Sequence, residues 1–261
     1  MTQKPLILSA ETSSRVGSVA LAAGAELLCE TLFSAPLKHS LEIFPSILRL
    51  LGEFGLKSQQ IEQVYISIGP GSFTGLRIAT TLAKLMYLAN AVKIVTLSTL
   101  DVIAANITDL TKESYNISAI SSESNDSEIP KAINRIATVL DAKRGQFFVA
   151  VYEKVDNGES TVNPAIKWKK ITPDSIMSPR YFLDRFSNRE NPVWLLGDGL
   201  VYYRDRFQSD GIRFFEQKYW NPRASNVHKL GWEKACQNKY ANPISMTPAY
   251  ISRPDIKIKT L

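Results

Sequence analysis

Apolar residues open the chain in three short runs, Pro5 to Ala10, Val16 to Ala22 and Glu26 to Phe33, each long enough for one strand. Arg15-Val16-Gly17 and Ala23-Gly24-Ala25 supply turns between them, so an antiparallel meander is expected. The period then changes to that of a helix. Leu41, Phe44, Ile47, Leu48 and Leu51 mark a helix from Ser40, placed as its cap, to about Gly52, with Pro45 early in it or kinking it. Val64 to Ile68 reads as a buried strand, and Gly69 to Gly75 turns the chain into a second helix that runs to about Asn90. Ile94 to Leu97 is the next strand, with a helix from Leu100. Strand, helix and strand in this order imply a parallel pair.

From Asn106 to about Pro130 the chain turns polar, as in Ser121-Ser122-Glu123-Ser124-Asn125-Asp126-Ser127, and offers little to bury. Beyond it, Ile136 to Leu140 and Phe147 to Glu153 read as paired strands around Asp141-Ala142-Lys143-Arg144-Gly145. Val193 to Leu196 is a strand ending in Gly197-Asp198-Gly199, and Ala224 to Asn238 a late helix with Pro222 near its start. The organisation expected is a first α/β lobe over 1–105, a polar linker or insertion over 106–135, a second α/β lobe over 136–220, and a C-terminal helix and tail over 221–261 that packs back on the first lobe. No internal repeat is visible.

The 261 residues are 44% hydrophobic and 21% charged, enough for a real core, which excludes disorder of the whole chain. A formal charge of +6 permits an RNA partner without requiring one. Cys29 and Cys236 form neither a CxxC pair nor a Cys/His cluster, which points to reduced thiols and no structural zinc. The first apolar run is shorter than a signal-peptide core, and no run approaches the ~20 residues of a membrane-spanning helix. A cytoplasmic protein is expected.

Gly69-Pro70-Gly71-Ser72-Phe73-Thr74-Gly75 carries the strongest candidate chemistry. Three glycines between a strand and a helix let backbone amides approach an anion at a helix N-terminus. A Walker A loop would continue with Lys and a hydroxyl, whereas this one runs on into Leu76-Arg77. Phosphate binding and a tight turn packing a helix on a sheet both remain open. His39 reads as a packing or capping residue, and no Gly-x-Ser-x-Gly elbow supports a hydrolase. Lys167-Trp168-Lys169-Lys170 and the tail residues Arg253, Lys257 and Lys259 could meet RNA or be solvated charge. The second helix carries Leu76, Ala79, Leu82, Ala83 and Met86 along one face, with Ile78, Leu85 and Leu88 extending around it. With Ser40, Leu41, Phe44, Ile47, Leu48 and Leu51 of the first helix, it suits either a helix pair buried within its own lobe or a partner interface.

The order Leu6-Ile7-Leu8-Ser9-Ala10-Glu11-Thr12-Ser13, His39-Ser40, Ile68 through the glycine loop to Arg77, Asp141-Ala-Lys-Arg-Gly145 and Pro248-Ala-Tyr-Ile251 resembles the TsaB (YeaZ-type) family. The resemblance implies an actin-like, Hsp70-like and sugar-kinase-like fold of two ribonuclease-H-like lobes. It further implies a non-catalytic subunit supporting TsaD, together with TsaE, in placing threonylcarbamoyl on N6 of adenosine 37 of tRNAs reading ANN codons. The chain would dimerise with itself when alone and meet tRNA only through the complex. Partner contact would run through the two apolar helices.

ATP-binding relatives of that fold carry an Asp-x-Gly-x-Thr phosphate loop at the first hairpin, where this chain has Glu11-Thr12-Ser13-Ser14-Arg15. The acid is one methylene longer and the glycine is absent. Glu11, Thr12, Ser13, Gly197 and Gly199 are therefore the candidates for any nucleotide contact, with ATP or ADP expected, if anywhere, at the interface of the complex. TsaD-like metal sites use two histidines four residues apart, whereas Ile43 stands four residues after His39, so no intrinsic metal is expected. The alternative is a small-molecule kinase or ATPase of the same fold.

Overall fold

Strand β1 (Leu6–Glu11) is buried from Ile7 onward, because side chains from helices pack on both faces of the sheet it anchors. It pairs antiparallel with β2 (Ser18–Ala23), and β2 with β3 (Glu26–Leu32). On its other side β4 (Ile61–Gly69) and then β5 (Lys93–Ser98) run parallel to it, giving the order β3-β2-β1-β4-β5. The computed structural model describes residues 4–35, 38–108, 133–155 and 167–249.

Alternation along the strands divides the two faces. Leu8, Val64, Ile66 and Ile94 pack with Ile43, Ile47, Leu50 and Leu51 of helix α1 (His39–Glu53) and with Ala79, Leu82 and Ala83 of α2 (Phe73–Asn90). The opposite face presents Ile7, Tyr65, Val95 and Leu97 to Val227 and Ala235 of the last helix. Lys38, not Ser40, precedes the first turn of α1, and no side chain caps it. Ser72 caps α2, its Oγ accepting from the Gly75 N–H at 3.3 Å.

The second sheet repeats the connectivity of the first. Strand β6 (Arg135–Lys143) pairs antiparallel with β7 (Gln146–Val155), β7 antiparallel with β8 (Lys167–Met177), and β6 parallel with β9 (Val193–Leu196). Parallel β10 (Ile212–Phe214) completes the order β10-β9-β6-β7-β8. Counted from its first strand, each sheet has the same sequence of partners and directions, so the fold is two ribonuclease-H-like α/β lobes.

Short helices join the two cores. In α3 (Thr99–Ala104), Val102 belongs to the first-sheet core and Leu100, Ile103 and Ala104 to the second. The second core also holds Phe182 of α4 (Pro179–Phe186) and Leu200 of α5 (Leu200–Tyr203), with Phe147 and Phe207 edge to face at 4.9 Å. The last helix, α6 (Ala224–Cys236), lies on the first sheet. Its entry is held by Arg223, whose guanidinium contacts Glu30 of β3 at 2.7 Å, and by the Ser225 N–H, which donates to the same carboxylate at 3.1 Å.

Strand β8 coincides with the Lys-Trp-Lys-Lys cluster. Its first residues alternate outward and inward along an edge strand, so the lysines mark a protected sheet edge. Most of the polar segment 106–135 lies outside the described residues, as do Tyr250, Ile251, Arg253, Lys257 and Lys259. Within the described part, Ala249 joins the first sheet, its N–H donating to the Ile68 carbonyl at 2.7 Å.

Candidate functional site

The parallel strands β1 and β4 both end at the gap between the lobes, and the turn after β1 is packed against the loop after β4. The Ser72 N–H donates to the Ser13 carbonyl at 2.7 Å, and the Thr12 hydroxyl donates to the Gly75 carbonyl at 2.7 Å. A Cβ on Gly71 would stand 2.3 Å from the Ser13 carbonyl oxygen, and one on Gly75 only 1.7 Å from that of Thr12. The glycines thus admit a close backbone approach, and the group admitted is the chain's own first turn. The cradle that a phosphate would need is filled by Thr12 and Ser13, so these residues do not fit that ligand in this arrangement.

Glu11, at the end of β1, is fully buried. One carboxylate oxygen accepts from the Ser13 N–H at 2.7 Å and from the Ser13 hydroxyl; the other accepts from the Ser67 hydroxyl. Burial pushes its pKa above the ordinary value, and the three hydrogen bonds work against that rise. Across the gap, Asp198 accepts from the Ser14 hydroxyl and from the Arg15 N–H at 3.3 Å. Burial raises its pKa as well. A Cβ on Gly197 would stand 2.2 Å from the Val139 carbonyl oxygen, so the loop after β9 packs on β6 as the loop after β4 packs on the turn after β1. The five nucleotide candidates therefore sit together at the gap, with their polar groups turned towards protein.

His39 braces this turn from behind. Its Nε2 lies 2.8 Å from the Ser14 carbonyl, which can only accept, so Nε2 carries the proton. Nδ1 has no hydrogen-bond partner, and burial holds the pKa below the ordinary histidine value. Among the described residues no three His, Cys, Asp or Glu side chains gather so as to hold a metal ion, and no helix is long and apolar enough to cross a membrane.

The helix pair divides differently from the periodicity. Ile47, Leu51, Ala79, Leu82 and Ala83 face the core of their own lobe, Met86 is half-buried there, and Leu76 is buried beside Gly69. The exposed face is made by Ser40, Leu41, Phe44 and Leu48 of α1, at 71% for Leu41 and 66% for Leu48, and by Leu85 and Leu88 of α2. Placing Ile47, Leu51, Leu76, Ala79, Leu82 and Ala83 on a partner surface is thus corrected: all six side chains are buried within the lobe, and α2 turns Leu85 and Leu88 outward instead. At the loop end, the Arg77 guanidinium lies 3.7 Å from the centre of the Phe73 ring, and Thr74 is exposed.

The basic cluster is also reassigned. Lys170 Nζ lies 2.6 Å from both Asp101 and Asp174, while Ser98 donates to Asp174 at 2.6 Å and Tyr152 to Asp101 at 2.8 Å. This lysine ties β8 to α3 and is spent within the fold.

These features meet in a family. The model of TsaD, tRNA N6-adenosine threonylcarbamoyltransferase, matches residues 34–245, and the chain belongs to that family. Within it, this is a TsaB/YeaZ-type protein. It is 23% identical over 256 residues to the tRNA threonylcarbamoyladenosine biosynthesis protein TsaB of Bacillus subtilis (strain 168), spanning 97% of this chain and 96% of that one. It is 21% identical over 216 residues to TsaB of Escherichia coli (strain K12), spanning 83% and 81%. The structure of YeaZ from Pseudomonas aeruginosa superposes with a TM-score of 0.68 at 18% identity, covering 94% of this chain and 99% of that chain.

Proposed function

We propose that this chain serves threonylcarbamoyladenosine biosynthesis in the cytoplasm as a non-catalytic subunit, binding a TsaD-like partner and working with a TsaE-like ATPase on adenosine 37 of ANN-reading tRNAs. One observation carries the reading. The glycine loop is filled by Thr12 and Ser13 and so fixes α2 on the sheet, leaving Leu85 and Leu88 outward beside Leu41, Phe44 and Leu48 of α1. Large apolar side chains exposed on two helices that touch each other are surface for another helix pair, either of the partner or of a second copy of this chain. Any ATP or ADP then belongs to the interface of the complex and not to the Glu11 turn.

Co-expression with TsaD- and TsaE-like subunits tests this: copurification is expected, together with loss of the modification on ANN-reading tRNAs when the gene is deleted. Unchanged modification in the deletion strain would overturn the proposal. A second reading, a kinase or ATPase, draws on the fully buried acid Glu11 and the partly buried Asp198, which lie within electrostatic reach of each other across the lobes. Calorimetry of the isolated chain with magnesium and ATP separates the two, no binding heat being expected.

A further inference from the structure

Four side chains at the rim of the gap, Arg15, Tyr202, Tyr203 and Arg206, form a continuous ladder. The Arg15 guanidinium lies 4.9 Å from the centre of the Tyr202 ring and donates to its hydroxyl. The Tyr202 and Tyr203 rings are 6.4 Å apart, and Arg206 lies 5.1 Å from the centre of the Tyr203 ring. The Arg206 guanidinium is 3.3 Å from where a Cβ on Gly145 would stand, at the β6–β7 turn that carries Lys143. Tyr202 is 65% exposed even with Arg15 against it, and the Lys143 side chain is 82% exposed. The acids nearby are engaged: Asp141 with Lys143, Asp198 with Ser14 and Arg15, and Asp205 with Gln208.

We propose that this rim is a docking surface for an unpaired strand of RNA. Cations held beside aromatic rings, with one ring open to solvent, are the arrangement that takes phosphates and a stacked base together. An acidic peptide would use the cations and leave the exposed ring without a role, so the observations favour the nucleic acid. The chain's excess of six positive charges adds long-range attraction of the same sign. The inference stands on residues remote in sequence from α1 and α2, so it can fail while the subunit reading holds, and the reverse.

The test is fluorescence anisotropy of the full chain with a labelled, unstructured RNA of about ten nucleotides, and with tRNA, between about 50 and about 200 mM salt. The wild type is expected to bind with affinity that falls as salt rises. Arg206→Glu and Lys143→Glu should each weaken binding and reduce the logarithmic salt slope by about 1. Tyr202→Ala should weaken it between about 5-fold and about 100-fold, as loss of one stacked base does. Lys167→Glu, on the far edge strand β8, should bind as the wild type does, and circular dichroism checks that each variant is folded. No binding at low salt, or folded rim variants that bind like the wild type, would overturn the proposal. So would polyglutamate displacing the RNA with Tyr202→Ala unaffected, which would mark an acidic-peptide site.

Discussion

Thr12 and Gly75, 63 residues apart, are locked face to face: the threonine hydroxyl donates to the glycine carbonyl at 2.7 Å, and the threonine carbonyl occupies the space where a glycine side chain would begin. Gly75→Ala should therefore force β1 and α2 apart. The expected cost is about 3 kcal/mol or more in urea unfolding, since neither backbone can yield cheaply. Gly52→Ala is the control. Nothing lies within 4 Å of that position on α1, so the substitution should stabilise by about 0.5 to 1 kcal/mol.

Phe44→Glu and Leu48→Glu place a charge on the exposed face of α1 and should leave the monomer folded while abolishing association, as read by size-exclusion chromatography. Leu82→Glu differs in kind. At 3% exposure its carboxylate would be stranded in the core, costing more than about 3 kcal/mol, and soluble folded protein should be lost. A Leu82→Glu variant as stable as the other two would contradict the assignment of the two faces.

Glu11 and His39 set opposite pH slopes. Burial raises the Glu11 pKa above 4.5, so the folded chain keeps a proton that the unfolded chain has released, and this contribution to stability declines as pH rises from 4.5 towards the raised value. His39 is lowered from 6.5, so its contribution is complete above 6.5 and is lost as pH falls from there towards the lowered value. On acidification from 6.5 towards 4.5 the His39 contribution is lost and the Glu11 contribution is regained, so their slopes have opposite sign. Removing the acid as Glu11→Gln should make stability fall more steeply on acidification through that window, measured by urea unfolding at stepped pH.

Lys170→Met would leave Asp101 and Asp174 facing each other without their shared cation. A loss of about 2 kcal/mol in unfolding free energy is expected, with RNA affinity unchanged in the anisotropy assay. Asp101→Asn in the same background should recover part of it, because the residual repulsion falls.

The strands of the first lobe were legible because both faces of that sheet are covered, so Pro5 to Ala10 and Val64 to Ile68 read as mostly apolar runs. β8 was not, because an edge strand carrying Lys167, Lys169 and Lys170 looks like a basic patch until its pairing with β7 is known. The duplicated connectivity left no trace in the sequence, since a sheet requires alternation and not identity of residues. In the glycine loop, the need for close approach was readable from the glycines alone. The identity of the approaching group was not: Thr12 and Ser13 lie about 60 residues upstream, and local patterns carry no information about such a pairing. The outward face of α2 escaped for a related reason, as a helix with apolar residues on more than one face does not say which side meets the sheet.

Among the described residues the lobes are fastened after β9, where Ser14 and Arg15 meet Asp198 and Tyr202, and at β8, where Lys170 meets Asp101 of α3 and Asp174 accepts from Ser98. In the second sheet β9 and β8 are separated by β6 and β7, three strand spacings or about 14 Å. A single fastening would let one half swivel about it; two so spaced oppose torque. Push on α1 and α2, and the torque that reaches the second half is shared between both fastenings.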